Sequence, residues 1–158
     1  MRRNGLTGLM ALIVLVSVVM FSGCVEEEAL ESTPTPELTY EEKLANLISA
    51  KVSVPFDVVV YDNVETGGKN IFVTCHRTYH DWLLHEVTAT DICKVLYTSE
   101  YADTISSVTV FFKENGRNLV KLELEKEDAK EIHWDDVMWI KSGGWTSVYF
   151  DPSLKRNE

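Results

Sequence analysis

The stretch from Ser107 to Glu125 leaves this chain few options. Val108, Val110 and Phe112 alternate with Ser107, Thr109 and Phe111. After Asn115-Gly116 the pattern resumes, with Val120, Leu122 and Leu124 set against Lys121, Glu123 and Glu125. A period of two places each set on one face of a strand. Asn-Gly supplies the two positive-φ residues of a type I′ turn, whose twist matches that of the strands it joins. The segment is an antiparallel hairpin with one apolar face, and that face needs cover.

The other elements follow from weaker signals. Thr39 and Glu42 form a capping box ahead of a short helix, Tyr40 to Ala50, with Leu44, Leu47 and Ile48 as its apolar stripe. Val52 to Tyr61 is rich in β-branched residues and predicts a strand. A polar turn containing Gly67-Gly68 leads to a second strand, Ile71 to Cys75, antiparallel to the first. Ala89, Ile92, Cys93, Leu96 and Tyr97 fall at helical spacing, and Trp82 and His85 extend that face backward. The helix therefore runs from Tyr79 to Tyr97, with Thr78 and Asp81 at its cap and Thr88 and Thr90 as a point where it can break. Glu127 to Ile132 reads as a helical turn, and Trp139 to Phe150 as a last ribbon bent at Gly143-Gly144. The order predicts an α+β fold: an antiparallel sheet of about four strands with one main helix packed on one face.

Charge narrows the partners. The chain carries 25 acids and 15 bases, net −10. Residues 1–23 hold two bases and no acids, which leaves the remainder with 25 acids against 13 bases, net −12. Such a surface repels phosphate backbones and anionic head groups, so nucleic acid is not expected as a partner.

The N-terminus sets the location. Arg2 and Arg3 precede an apolar run, Leu9 to Phe21, which ends in Phe21-Ser22-Gly23-Cys24. This order resembles the lipobox of prokaryotic membrane lipoproteins, although the Leu usual three positions before the cysteine is Phe21 here. The resemblance implies cleavage behind Gly23 and a lipid on Cys24, tethering the protein to the cell membrane on its extracytoplasmic side. The alternative is an uncleaved anchor over Leu6 to Val25, close to the ~20 residues that a spanning helix needs. Thr7, Gly8, Ser17, Ser22 and Gly23 dilute that stretch. Either way Arg2 and Arg3 stay in the cytoplasm and the rest lies outside.

Residues 24–38 then form an acidic Pro/Thr linker, in which Thr33-Pro34-Thr35-Pro36 favours polyproline II and five glutamates repel one another. Its reach is on the order of 40 Å at ~3.1 Å per residue. Residues 39–158 make a single extracytoplasmic domain. No Asn-x-Ser/Thr sequon occurs in the chain. Asp91 to Trp134 resembles segments of uncharacterised membrane-anchored proteins of archaea, which implies no particular activity.

Candidate chemistry is sparse. Cys75 and Cys93 lie on a strand and a helix expected to pack together. An oxidising compartment permits a Cys75–Cys93 disulfide, which would stabilise by ~3 kcal/mol, and the alternative is two separate buried thiols. His76 and His80 have i, i+4 spacing, so Cys75, His76, His80 and Cys93 form a possible ligand set for a metal or redox centre. That spacing matches no recognised signature, and no cofactor is expected. Asp135-Asp136 is the best carboxylate pair for a hydrolase, but adjacent residues diverge in direction. Trp134, Trp139 and Trp145 fall within twelve residues and are followed by Tyr149 and Phe150. Exposed, Trp139, Trp145, Tyr149 and Phe150 would form a binding surface for a protein or polymer. Buried, they would cover the second face of the sheet, where Phe111 and Tyr61 are otherwise bare. The expectation is a non-enzymatic, membrane-tethered binding or accessory domain, with a redox or metal-handling lipoprotein as the alternative.

Overall fold

A linear five-stranded sheet, in the order β1 to β5, organises the chain. The computed structural model describes residues 37–154. The signal segment, Cys24 and nearly all of the linker lie outside the described residues. Helix α1, Tyr40–Ser49, starts as the sequence predicts: the Thr39 hydroxyl accepts from the Glu42 N–H at 3.2 Å, and the Glu42 carboxylate accepts from the Thr39 N–H at 2.7 Å. Leu44 and Ile48 on its inner stripe are fully buried. Strand β1 spans Phe56–Asp62 and β2 spans Lys69–Cys75, paired antiparallel across a turn in which Asn63 and Gly68 bond. The first strand starts later than the sequence suggests, directly after Pro55, which has no N–H to give a ladder.

Helix α2 spans Trp82–Tyr97 and is capped by Asp81, whose carboxylate accepts from the Leu83 N–H at 2.9 Å. It begins three residues later than expected, because the Thr78 hydroxyl bonds Glu114 and the Tyr79 N–H bonds His85. The helix does not break at Thr88 or Thr90. The Thr90 hydroxyl donates back to the Glu86 carbonyl at 2.7 Å, within the helix.

Strands β3, Ile105–Glu114, and β4, Arg117–Glu125, form the expected hairpin, with Val108, Val110 and Phe112 opposite Leu124, Leu122 and Val120. Asn115 at φ 51 and Gly116 at φ 80 make the two-residue turn. A short helix, α3, spans Lys126–Lys130, and β5, Ser147–Phe150, pairs antiparallel with β4. Only these four residues of the predicted Trp139–Phe150 ribbon are strand.

The sheet departs from expectation in two ways: it has five strands and it is mixed, since β2 and β3 run parallel. A parallel pair needs a crossover of a dozen or more residues, and α2 supplies it. The helix is 16 residues long, about 24 Å at 1.5 Å per residue, which matches the length of the seven-residue β2. The chain can therefore return to the start of β2 before entering β3. One face of the sheet carries Ile71, Val73, Val108, Val110, Phe112, Leu122 and Leu124, all fully buried together with Ala89, Ile92 and Leu96 of α2. Cys75 and Cys93 belong to the same core. Both are free thiols, so the expected disulfide is absent: each fills core space as a small hydrophobe. Burial pushes the Cys75 thiol up to about 12, and Cys93 is raised for the same reason.

Candidate functional site

The opposite face of the sheet is built from the outward positions of the same alternation, and the described elements leave it open. Three cross-strand rows define it. The first is Asp57, Thr74, Phe111, Lys121 and Tyr149. The second is Val59, Phe72, Thr109, Glu123 and Ser147. The third, at one end, is Tyr61, Asn70, Ser107 and Glu125. Val59 is 44% exposed, Tyr61 60% and Tyr149 47%.

The aromatic members touch. Tyr61 meets Phe72 edge-on, with centroids 5.5 Å apart, and Phe72 lies near-parallel to Phe111 at 6.3 Å. The result is a diagonal aromatic stripe across β1, β2 and β3. Beside it Lys121 and Glu123 bond at 2.7 Å, so the one lysine in these rows is neutralised locally. Thr109 sits between Phe72 and Glu123 at the floor of the face. It is 1% exposed, and its hydroxyl has no hydrogen-bond partner. A buried hydroxyl without a partner is costly, and most folded proteins avoid it.

The third row opens into a polar cleft of about 810 Å³ between the β1–β2 turn and the start of α3. Within it the Asn70 side-chain carbonyl accepts from Asn63 at 3.2 Å and from Ser107 at 3.1 Å. Thr66 and Ser106 share a 2.6 Å hydrogen bond. Gly68 permits that approach: a Cβ there would overlap the Ser106 hydroxyl and lie 3.0 Å from the Thr104 carbonyl. Lys126 donates to the Asp103 carbonyl at 2.6 Å, and Lys130 pairs with Glu127 at 2.8 Å. The cleft is lined by hydroxyls, amides and charged side chains, of which Lys130 and Glu127 pair with each other.

The tail behaves differently from its prediction as one surface. Trp145 is buried, its ring N–H donating to the Ile140 carbonyl at 3.0 Å, while the Ile140 N–H donates to Thr90 on α2 at 2.8 Å. Trp134 stacks on Tyr97 at 6.0 Å. Phe150 packs on Trp82 at 4.1 Å. The tail thus closes the core beside α2 and does not cover the second face of the sheet. Trp139 is half-buried, and Tyr149 alone of the four predicted residues reaches the open face.

The other candidates are scattered. His76 bonds Asp57 at 2.6 Å on the surface, His80 is exposed, and Cys75 and Cys93 lie in the core. Among the described residues no group of three or more His, Cys, Asp or Glu is placed to hold a metal ion. Asp135 and Asp136 are exposed in one turn. No helix among the described residues is long and apolar enough to cross a membrane.

His85 has no surface role. It is fully buried between the Tyr79 and Phe112 rings, at 5.2 and 4.7 Å. Its Nε2 accepts from the Tyr79 N–H at 3.1 Å, so the ring proton rests on Nδ1, which has no partner. Burial lowers its pKa to about 4, and the ring is neutral at physiological pH.

Sequence reasoning missed Phe72 and Thr109 as members of the site and treated Tyr61 and Phe111 as residues to be covered. The available signal was the outward register: aromatic and β-branched residues stand at Val59, Tyr61, Phe72 and Phe111, where a solvated strand face carries charge. No protein-family model matches the chain, and no curated protein or solved structure matches it.

Proposed function

We propose that this chain is a membrane-tethered, extracytoplasmic binding module whose recognition surface is the open face of the sheet. The observation that carries the reading is the diagonal Tyr61, Phe72 and Phe111, extended by Val59 and Tyr149, on a face that the described residues leave uncovered. Contiguous exposed apolar surface of this kind marks an interaction site more often than chance exposure does. A sheet bearing flat rings is a rigid platform, because each side chain is fixed by the ladder beneath it. The Arg2-Arg3 segment, the apolar run and Cys24 support the tether, and the acidic Pro/Thr linker supports a domain held away from the bilayer. The role is recognition rather than catalysis, and the ligand is a polymer or protein of the envelope.

Site-specific photo-crosslinking of the full chain in its native envelope tests this. Crosslinkable side chains at Tyr61 and Tyr149 should capture a ligand, and one at Met138, which is 77% exposed on the tail, should not. Equal capture at all three positions, or capture at Met138 alone, would remove the open face as the recognition surface. The tether is checked separately: Cys24→Ser should abolish lipid labelling and leave unprocessed precursor.

A further inference from the structure

The chemistry of the open face specifies its ligand more narrowly, and the step rests on the binding-face reading above. Three observations converge. The stripe Tyr61–Phe72–Phe111 offers aromatic rings with negative faces, which suit polarised C–H groups rather than anions. The floor of the stripe holds a hydroxyl, that of Thr109, which is buried and unpartnered. It can both donate and accept. The stripe then runs directly into the cleft of hydroxyls and amides around Asn70 and Ser107.

Charge decides between ligand classes. The one lysine of the three rows, Lys121, is held by Glu123 and Asp57 is bonded to His76, while Glu125, with Glu65 and Asp103 in the adjoining cleft, leaves the face acidic. Uronate, sulfated or phosphorylated polymers are therefore repelled. Protein hot spots draw on Trp, Tyr and Arg in dry pockets. These rows contain neither Trp nor Arg, and Thr, Ser and Asn interleave their rings. We infer that the open face binds an uncharged pyranose polysaccharide, stacking sugar rings on Tyr61, Phe72 and Phe111 and bonding their hydroxyls from Thr109, Asn70 and Glu123.

Affinity electrophoresis of the full chain in mild detergent tests the inference, using gels that contain a β-1,3-glucan, a β-1,4-mannan, a soluble chitin derivative or, as the anionic control, polygalacturonate. The expected result is retardation by at least one neutral glycan and none by polygalacturonate. Tyr61→Ala and Phe72→Ala should each weaken retardation about tenfold or more. Thr109→Val should weaken it severalfold while raising the melting temperature, a pairing that a purely structural threonine would not give. Met138→Ala should leave retardation unchanged. Retardation by no neutral glycan would overturn the inference, and crosslinking of a protein through Tyr61 in the same chain would leave the broader binding-face reading standing. Retardation insensitive to Tyr61→Ala and Phe72→Ala would overturn the placement on this face.

Discussion

The two faces of one sheet are made by the same alternation and do opposite work. On the inner face Val108, Val110 and Phe112 are fully buried against α2, and their worth lies in packing. On the outer face Thr109 and Phe111, one residue away along the same strand, contribute an unpaired hydroxyl and a half-exposed ring. The inner face keeps to the rules of a core except at the unpartnered Nδ1 of His85. The outer face breaks two of them, exposing aromatics and burying a hydroxyl without a partner, and local departures of that kind gather at functional sites.

The contrast is sharpest in β3. Phe112→Ala empties a site lined by His85 and Tyr79, and should lower stability by about 3–5 kcal/mol in denaturant titration. Phe111→Ala, on the open face, should lower it by only about 1 kcal/mol. Similar losses for the two would erase the distinction between the faces.

Acid probes the inner face next. The folded pKa of His85 is lowered to about 4, against ~6.5 in an unfolded chain. The unfolded state takes up the proton first, so stability falls as pH drops through 6.5 and levels off near 4, by on the order of 2 kcal/mol in total. His85→Gln should flatten this part of a stability–pH curve. A second acid limb belongs to Asp151, which is buried, receives Arg117 and Ser153, and has its pKa held well below the usual carboxylate range. Its contribution is complete above ~4, the unfolded carboxylate value, and fades as the pH falls further. Asp151→Asn should remove that limb and leave the His85 limb intact.

Gly68→Ala forces a Cβ onto Ser106 and should cost about 1–2 kcal/mol, visible as a lower denaturation midpoint. It tests whether the cleft end of the outer face is built as tightly as the core. Thr109→Val has an effect as small as that of Phe111→Ala and of the opposite sign. Removing the unpaired hydroxyl with little change of shape should stabilise by about 1 kcal/mol. A loss of stability instead would mean that Thr109 serves the fold and that the outer face carries no such exception.

Local signals were the most legible part of the sequence. Thr39 and Glu42 lie three positions apart in the sequence and form their capping box without help from elsewhere. Asn115-Gly116 fixes its hairpin by φ alone. Thr78 and Asp81 both qualify as caps, and the choice fell to Asp81 because a distant glutamate, Glu114, engages Thr78. The parallel pairing of β2 with β3 was hidden for a related reason: two hairpins flanking a helix are compatible with either direction, and only the match of helix length to strand length decides it. The open face was half visible. The sequence placed Phe111 outward, but whether the tryptophan-rich tail would cover it depended on Ile140 finding Thr90 on the other side of the sheet.

The free thiols turn the core into its own clock. With a pKa of about 12, Cys75 is thiolate in only about one molecule in 10⁵ at neutral pH, and no reagent of ordinary size reaches a sulfur that is fully buried. Each thiol is therefore modified only when its own layer opens, Cys75 when β2 loosens and Cys93 when α2 lifts away. Two reaction rates on one chain separate a helix that detaches from an intact sheet from a domain that comes apart at once.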